Sequence, residues 1–360
     1  MYAELKQQII EKYEARGKSI SEKSVDKYIK DIQKIQSLLD VGEVTDLSFL
    51  YNVDAVSSAV EDMRGRKILN GEKVKASTNT KRNYYQSIVS VLDAIDDYKV
   101  IKKYQKIVNQ YNKLYKVNLE KNNASVTQEN EEKLISYNSL KHVVDGLSMK
   151  IRDIKDTMKD LDYKLTDTDM NTFQTFILLK MYLSFPARNE FGTILWATDM
   201  SAKTSDNNYL ALSTSLKKHK SELTLNVYKT SGLYDTRVLD LDANDKLTGH
   251  FTVWRKMLSR IAKQEGRGIV KTGTPVFFSR FYNKPDEEWW TSPMTSNKLS
   301  KYLARFFEKE VGKNISTTAI AKIVNSHQNK TNSDAIKKNS KARGTSVGTL
   351  SQVYTPALPQ

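Results

Sequence analysis

Apolar residues recur three and four positions apart along the first 116 residues, with polar residues between them. Ser21 and Ser24 precede one such stripe from Val25 to Leu39, and a capping cluster at 77–80 precedes another from Tyr84 to Ile95. This spacing is typical of amphipathic helices. Further helices are predicted at 54–63 and 100–115. We therefore predict a helical domain over residues 1–117.

A polar stretch over residues 118–132 holds few apolar residues and predicts an exposed linker. Residues 133–360 show a mixed pattern. Three alternating runs at 209–213, 222–228 and 236–241 predict strands, with a hairpin turn signal at 230–232 and a short buried strand at 275–278. Helical patterns cover 137–161, 171–183, 191–196, 247–262, 296–309, 315–324 and a short terminal helix. The predicted fold is mainly α with a small antiparallel β-sheet.

Composition narrows the classes of function. The net charge is +15, with no cysteine and four widely spaced histidines. The absence of cysteine excludes disulfides and thiolate metal sites, and no histidine pair has metal-ligand spacing, so we expect no metal and no cofactor. The sequence has no phosphate-binding glycine loop, no apolar run long enough for a membrane and no signal peptide. We expect an intracellular protein located wherever DNA is, because clustered cations bind phosphates.

Basic residues concentrate on one face of the helical domain, around Lys102 and Lys103, and in the segment 313–343. For the face of the helical domain, the alternative to DNA contact is a set of ordinary solvated lysines. The segment 313–343 holds seven Lys or Arg and one acid, which favours a phosphate-facing surface. The candidate DNA-binding residues are Lys81, Arg82, Lys102, Lys103, Lys322, Lys337, Lys338, Lys341 and Arg343.

Three residues far apart in the chain suggest chemistry at a phosphodiester. Arg188 lies in the segment 185–190, Lys229 lies where a strand enters the predicted hairpin turn, and Tyr354 lies on the terminal helix. Each has a structural alternative. Tyr354 is one of 19 tyrosines and could pack the terminal helix, Arg188 could pair with Glu190, and Lys229 could be solvated.

The order of these residues on a basic, two-domain chain resembles the tyrosine recombinases, or phage-type integrases. The resemblance implies a helical core-binding domain at 1–117 and a mixed α+β catalytic domain at 133–360 that together enclose duplex DNA. It also implies a metal-independent transesterification, with Tyr354 as nucleophile, Arg188 on the phosphate and Lys229 as the acid for the leaving group. Such proteins work as tetramers on DNA, so we expect a homotetramer on DNA and a monomer or weak oligomer without it.

The chain departs from this family's pattern at three positions. Thr318 and Ala321 stand where the histidine and second arginine of the family's HxxR box are expected, and Thr345 stands where a histidine or tryptophan is expected. Lys322 is adjacent, but one residue along a helix turns a side chain by about 100°.

Several interpretations stay open. The chain is a divergent integrase or resolvase of a virus or mobile element, with Lys322, Arg343, His327 or a partner subunit filling the gaps. Alternatively, it is a catalytically inactive sequence-specific DNA-binding protein on the same fold, natural or engineered. A third reading is an unrelated RNA-binding or structural viral protein, in which Trp289 and Trp290 stack on bases.

Overall fold

The chain is mainly helical and divides into two compact units, Met1–Glu120 and Lys121–Gln360. The computed structural model describes residues 1–69, 72–197, 206–213, 220–228, 231, 235–243, 246–279, 293–331, 336–337, 339–340, 343 and 345–358.

The first unit is built from helices around an apolar core. Its helices are α1 (Tyr2–Ala15), α2 (Glu22–Leu38), α3 (Val53–Asp62), α4 (Thr78–Ala94) and most of α5 (Ile101–Ala124), whose last four residues belong to the second unit, with a 3-10 turn at Ser48–Tyr51. Ser21 and Ser77 cap α2 and α4 by accepting a hydrogen bond from a backbone N–H of the first turn. The apolar stripes of these helices face one another, as the spacing predicted. Residues of this core include Ile9, Val25, Ile32, Leu50, Val56, Tyr85, Ile88 and Tyr104.

An antiparallel hairpin also belongs to the first unit and departs from the helical prediction. It comprises β1 (Arg64–Leu69) and β2 (Glu72–Lys75). Its sequence signal is the Asn70-Gly71 dipeptide, a pair typical of two-residue hairpin loops. The run is too short and too polar to stand out from the helical pattern around it.

The second unit combines helices with a mixed four-stranded sheet. Its helices are α6 (Gln128–Lys133), α7 (Tyr137–Thr157), α8 (Asp167–Ser184), α9 (Leu247–Gln264), α10 (Ser296–Val311), α11 (Thr317–Thr331) and α12 (Val347–Val353). Its strands are β3 (Ile194–Ala197), β4 (Asn208–Ala211), β5 (Glu222–Leu225) and β6 (Arg237–Asp240). The strand order is β3-β4-β5-β6, with β3 and β4 parallel and the other neighbours antiparallel.

The core of the second unit lies around α8. Eleven of the 18 residues of this helix are buried, and it packs against α7, α9 and α11. Trp254 of α9 stacks on Phe173 of α8 and donates its indole N–H to the Val276 carbonyl, 2.8 Å away. This packing fixes the end of α8, where the chain leaves the helix just before Arg188.

The segment after Arg188 is not the helix that we predicted. It forms a 3-10 turn at Asn189–Thr193 and then strand β3. A Cβ on Gly192 would collide with the Met294 carbonyl oxygen, so the turn packs closely against the chain that precedes α10. The tertiary contacts of the sheet therefore decide the structure of this short apolar run.

The predicted linker also takes a different form. Helix α5 continues to Ala124, and α6 covers most of the remaining stretch, so residues 118–132 are mainly helical. Strong helix formers and the cap at Thr127, whose side chain accepts from the Asn130 N–H, explain this.

Within the part of the chain that the structure describes, no helix combines the length and apolarity that a membrane span requires.

Candidate phosphate site around Tyr354

Tyr354 ends the short helix α12. Ser346 caps the start of this helix by accepting a hydrogen bond from the Thr349 N–H at 3.1 Å, and Leu350 is fully buried. The Tyr354 N–H donates to the Leu350 carbonyl at 3.0 Å, so the tyrosine takes the C-cap position. Its side chain is partly buried. The helix therefore holds the phenol at a defined place on the second unit.

The residues after Tyr354 are anchored to the same unit. The Ser326 hydroxyl donates to the Pro356 carbonyl at 2.6 Å, and the Ala357 N–H donates to the Asn122 carbonyl at 2.9 Å. Leu358 packs against the main core. Contacts on both sides of Tyr354 thus hold the tyrosine on its own chain.

Arg343 lies directly over the tyrosine ring. Its guanidinium carbon is 3.8 Å from the Tyr354 ring centroid, and the residue is only 1% exposed. Its Nη1 donates to the carbonyl oxygens of Pro186 and Ala187, at 2.7 and 3.0 Å. Arg343 therefore joins the tyrosine segment to the loop that carries Arg188.

Arg188 reaches the same phenol from the end of α8. Its backbone carbonyl accepts a hydrogen bond from the Tyr182 hydroxyl at 2.7 Å, which fixes the loop against the core. Its side chain interacts electrostatically with the Tyr354 phenol. Its Nη1 is buried and has no hydrogen-bond partner among the described residues. The structure thus brings together two of the three residues that the sequence singled out for chemistry.

The two arginines change the acidity of the tyrosine. Burial raises the pKa of Tyr354, but the cations of Arg343 and Arg188 outweigh it, so that the pKa lies below its ordinary value. Removal of its proton, which any attack by this oxygen requires, is easier than for a free tyrosine.

Two more charged side chains complete the site. Glu190 is 6% exposed, and its Oε2 has no hydrogen-bond partner within the described chain. Arg237 of β6 is 7% exposed and interacts electrostatically with Glu190, Arg188 and Arg343. Its burial, reinforced by the neighbouring cations, lowers its pKa despite the attraction of Glu190 and Tyr228. With Tyr354 neutral, three guanidiniums and one carboxylate leave a formal charge of +2.

Sequence reasoning missed Arg237 and gave Arg343 only a substitute role. No local pattern reveals Arg237, because the register that turns it inward is set by the pairing of β6 with β5. The hydrophobic pattern of this segment predicts the opposite orientation, because it favours an arginine on the solvent-exposed side of the strand.

The positions expected to hold the HxxR box lie elsewhere in the second unit. Thr318 is exposed and, with Lys322, lines a cavity of about 520 Å³ next to Asn122 and Asn130. Ala321 is fully buried. The residue of α11 that faces the Arg188 loop is Thr317, whose hydroxyl donates to Asn189 Oδ1.

The remaining predicted helpers are not brought to the phenol by any described contact. Thr345 donates its N–H to the Ser340 carbonyl at 3.0 Å. His327 stacks on Tyr137 with 3.7 Å between ring centroids, and burial lowers its pKa. Lys229 lies outside the described residues.

The candidate DNA-binding residues fall into different environments. Lys102, Lys103 and Lys337 are exposed, whereas Lys81 is 8% exposed with its Nζ 2.6 Å from Glu61 Oε2. The Arg82 guanidinium lies 4.6 Å from the Tyr115 ring centroid. Lys338 and Lys341 are outside the described residues. Lys81 therefore has a local structural partner, while Lys102, Lys103 and Lys337 are accessible to solvent.

Two searches were negative. No cluster of His, Asp and Glu side chains suited to a metal occurs among the described residues. Compared with models of protein families, with curated proteins and with solved structures, the chain matches none of them.

Proposed function

We propose that this chain is a tyrosine-type DNA strand-exchange enzyme, an integrase or resolvase of a virus or mobile element. The observation that carries the proposal is the pairing of Tyr354 with two arginines, which lowers the pKa of its phenol. Packing of a helix end does not require a tyrosine to interact with two guanidiniums. A tyrosine that attacks a phosphodiester needs both an easily lost proton and cations at the phosphate.

In the proposed reaction, the Tyr354 phenol gives its proton to water, and its oxygen attacks a DNA phosphorus. The bond between phosphorus and the 5′-oxygen breaks, a 3′-phosphotyrosyl bond forms, and the 5′-oxygen leaves as a hydroxyl after taking up a proton. Lys229 is the proposed donor of that proton, on the strength of the family resemblance. One ester replaces another, so the exchange needs neither nucleotide hydrolysis nor metal.

The charge of the site supports this chemistry. A phosphodiester beside a neutral phenol carries one negative charge, and once the phenol has lost its proton the attacking oxygen and the phosphate together carry two. The +2 formed by Arg188, Arg237, Arg343 and Glu190 therefore matches the transition state more closely than the ground state. Cations that are fixed before the reaction stabilise such a charge most effectively.

Ala321 stands where the family's second arginine is expected, and Arg343 offers a substitute for that arginine. The family takes its second arginine from the HxxR box, whereas here a buried arginine arrives from the segment just before the tyrosine helix. We propose that Arg343 takes the role of this second arginine.

The net charge and the exposed Lys102, Lys103 and Lys337 support double-stranded DNA as the substrate. Strand exchange joins two duplexes, so we propose that four copies assemble on DNA.

A covalent trap tests the proposed reaction. A library of duplexes with nicks in varied flanking sequence is used, because attack next to a nick releases a short 5′-hydroxyl fragment and so leaves the protein bound to the DNA. We expect a denaturation-resistant protein–DNA complex with the wild type and none with Tyr354→Phe. Tyr98→Phe is the matched control, because Tyr98 is an exposed tyrosine of the first unit. Absence of a complex with the wild type, or its persistence in Tyr354→Phe, would contradict the proposal.

A second candidate function is DNA binding without cleavage. It is favoured by the surroundings of His327 and His250, which contact Tyr137 and Phe176 rather than the phenol. In this case duplex binding is salt-sensitive, no complex is trapped, and Tyr354→Phe leaves the affinity nearly unchanged.

A further inference from the structure

Strand β6 buries a charged residue and exposes an apolar one, which is the reverse of the usual arrangement. Arg237 is 7% exposed, whereas the next residue, Val238, is 57% exposed. Arg237 stands opposite Leu225 in the antiparallel register, and Leu225 is fully buried. Because successive residues of a strand face opposite sides, the register turns the charge inward and the valine outward. Conflicts of this kind between sequence and structure are expected at functional sites.

Within the described part of the chain, the buried guanidinium of Arg237 also lacks hydrogen bonds. Its Nε, Nη1 and Nη2 are all buried, and none has a partner among the described residues. The guanidinium carbon of Arg237 lies 4.5 Å from the Tyr228 ring centroid. The Tyr228 hydroxyl donates to the Asp235 carbonyl at 2.8 Å, and this hydrogen bond holds the ring in place against the guanidinium. A buried charge without hydrogen bonds destabilises the folded state, so the site is better satisfied when an anion is bound.

The neighbours of Arg237 indicate which kind of anion fits. Glu190 is the only carboxylate among the electrostatic partners of Arg237 within the described residues, and the cations of Arg188 and Arg343 also act on Arg237. Arg343 already uses its Nη1 on two backbone carbonyls. A ligand with several oxygen atoms can receive donors from all three guanidiniums, and a tetrahedral phosphate has them.

We propose that Arg237 is a third guanidinium ligand of the phosphate group bound beside Tyr354. The inference rests on the proposed function for the identity of the natural ligand, a phosphate of duplex DNA. It adds a residue from β6 to a site otherwise formed by the end of α8 and the segment 343–354. In this arrangement the Tyr228 ring packs against one face of the Arg237 guanidinium, and the N–H groups of Arg237 donate to the phosphate oxygens.

The first experiment measures anion binding without DNA. Thermal unfolding of the full chain is followed as inorganic phosphate is added at constant ionic strength. A ligand that binds only the folded state raises the midpoint in proportion to its binding free energy. We expect a rise for the wild type, no rise for Arg237→Met and a partial rise for Arg237→Lys. Without phosphate, Arg237→Met should be at least as stable as the wild type, because it removes an unsatisfied charge.

Arg255→Met is the matched control. Arg255 belongs to the same unit and its guanidinium carbon lies 5.8 Å from the Trp196 ring centroid, so it is also an arginine beside an aromatic ring. This variant should keep the phosphate response of the wild type. A wild type without a phosphate response, or an undiminished response in Arg237→Met, would overturn the proposal. Lower stability of Arg237→Met with an unchanged response would show a purely structural role.

The second experiment uses the nicked duplex. Loss of one fixed donor to the phosphate typically slows such chemistry by about 10²–10³-fold. We expect a decrease of this size in the rate of covalent-complex formation by Arg237→Met, with duplex affinity reduced by less than about tenfold. An unchanged rate would overturn the assignment to the DNA phosphate. If the wild type forms no covalent complex while Arg237→Met still loses the phosphate response, the proposed reaction fails and Arg237 stands as a phosphate ligand.

Discussion

Two groups of cations, one in each unit of this chain, have opposite surroundings. In the first unit, Lys6 lies 2.8 Å from Glu22, Arg16 pairs with Asp93, and Lys75 lies 3.1 Å from Asp62. In the second unit, Arg237 and Arg343 both interact electrostatically with the buried carboxylate of Glu190, and the Arg188 cation acts on both. The first arrangement neutralises charge at the protein surface, and the second concentrates it inside.

This difference separates cations that lie in exposed ion pairs from cations that are buried at the candidate site. Exposed ion pairs contribute little to stability and can be exchanged freely. Buried guanidiniums with unsatisfied nitrogens reduce stability, and the fold keeps them in place only because the surrounding packing and hydrogen bonds are strong. Perturbed charges of this kind cluster at functional sites. The net charge of the sequence cannot separate these two groups, because both contribute equally to it.

The largest effect is expected from Arg343→Met. The change removes the cation over Tyr354 and the donor to the Pro186 and Ala187 carbonyls. Covalent-complex formation should fall by about 10²–10³-fold. Leaving buried carbonyls without a donor should lower the free energy of unfolding by about 1–3 kcal/mol. Trapping on a nicked duplex and denaturant unfolding measure the two effects.

A matched control for this variant is Arg305→Met, since Arg305 is an exposed arginine of α10 in the same unit. It should change neither quantity appreciably. Arg343→Lys should recover little of the loss, because an ammonium cannot reach two carbonyls and the phenol with the planar geometry of a guanidinium. Wild-type behaviour of Arg343→Met would remove the basis for the contrast between the two units.

Much of the helical fold was predictable because it depends on local signals. The apolar stripe that ends at Leu39 and the caps Ser21 and Ser77 are sufficient to predict α2 and α4. The strands near 209–213, 222–228 and 236–241 also carry an alternating pattern. The turn after Arg188 carries no such signal, since its strand exists through pairing with β4 and through close packing at Gly192.

The candidate site was predictable only in part for the same reason. Tyr354 and Arg188 stand in recognisable segments of the sequence. The guanidiniums of Arg343 and Arg237 reach the site through the course of the chain after α11 and the register of β6, which no local pattern encodes. The interpretation of Ala321 as a missing arginine assumed that a role stays at one position, whereas a buried cation can come from another segment.

An intermediate effect is expected in the pH dependence of cleavage. In the proposed reaction the nucleophile is the deprotonated phenol, so the rate should rise with pH and level off above the pKa of Tyr354. That pKa is lowered, so the wild type should level off below the range of an ordinary tyrosine. Arg188→Met removes one of the responsible cations and should move this point to higher pH. Rates measured between about pH 6 and pH 10 at subsaturating DNA report the free enzyme.

Circular dichroism at each pH separates this shift from unfolding. Tyr98→Phe should reproduce the wild-type profile, because the exposed Tyr98 is in the other unit. Identical profiles for the wild type and Arg188→Met would show that Arg188 does not control the ionisation of Tyr354.

The smallest effect is expected from Arg16→Gln. Arg16 and Asp93 form an ion pair at the surface of the first unit, where both side chains stay in contact with water. The Coulomb attraction of such a pair is largely offset by lost hydration and side-chain entropy, and salt screens it further. The unfolding midpoint and the rate of covalent-complex formation should therefore match the wild type within repeat measurements. A loss of stability or rate as large as that of Arg343→Met would mean that exposed and buried cations contribute alike. Such a result would contradict the energetic distinction on which the proposed phosphate site depends.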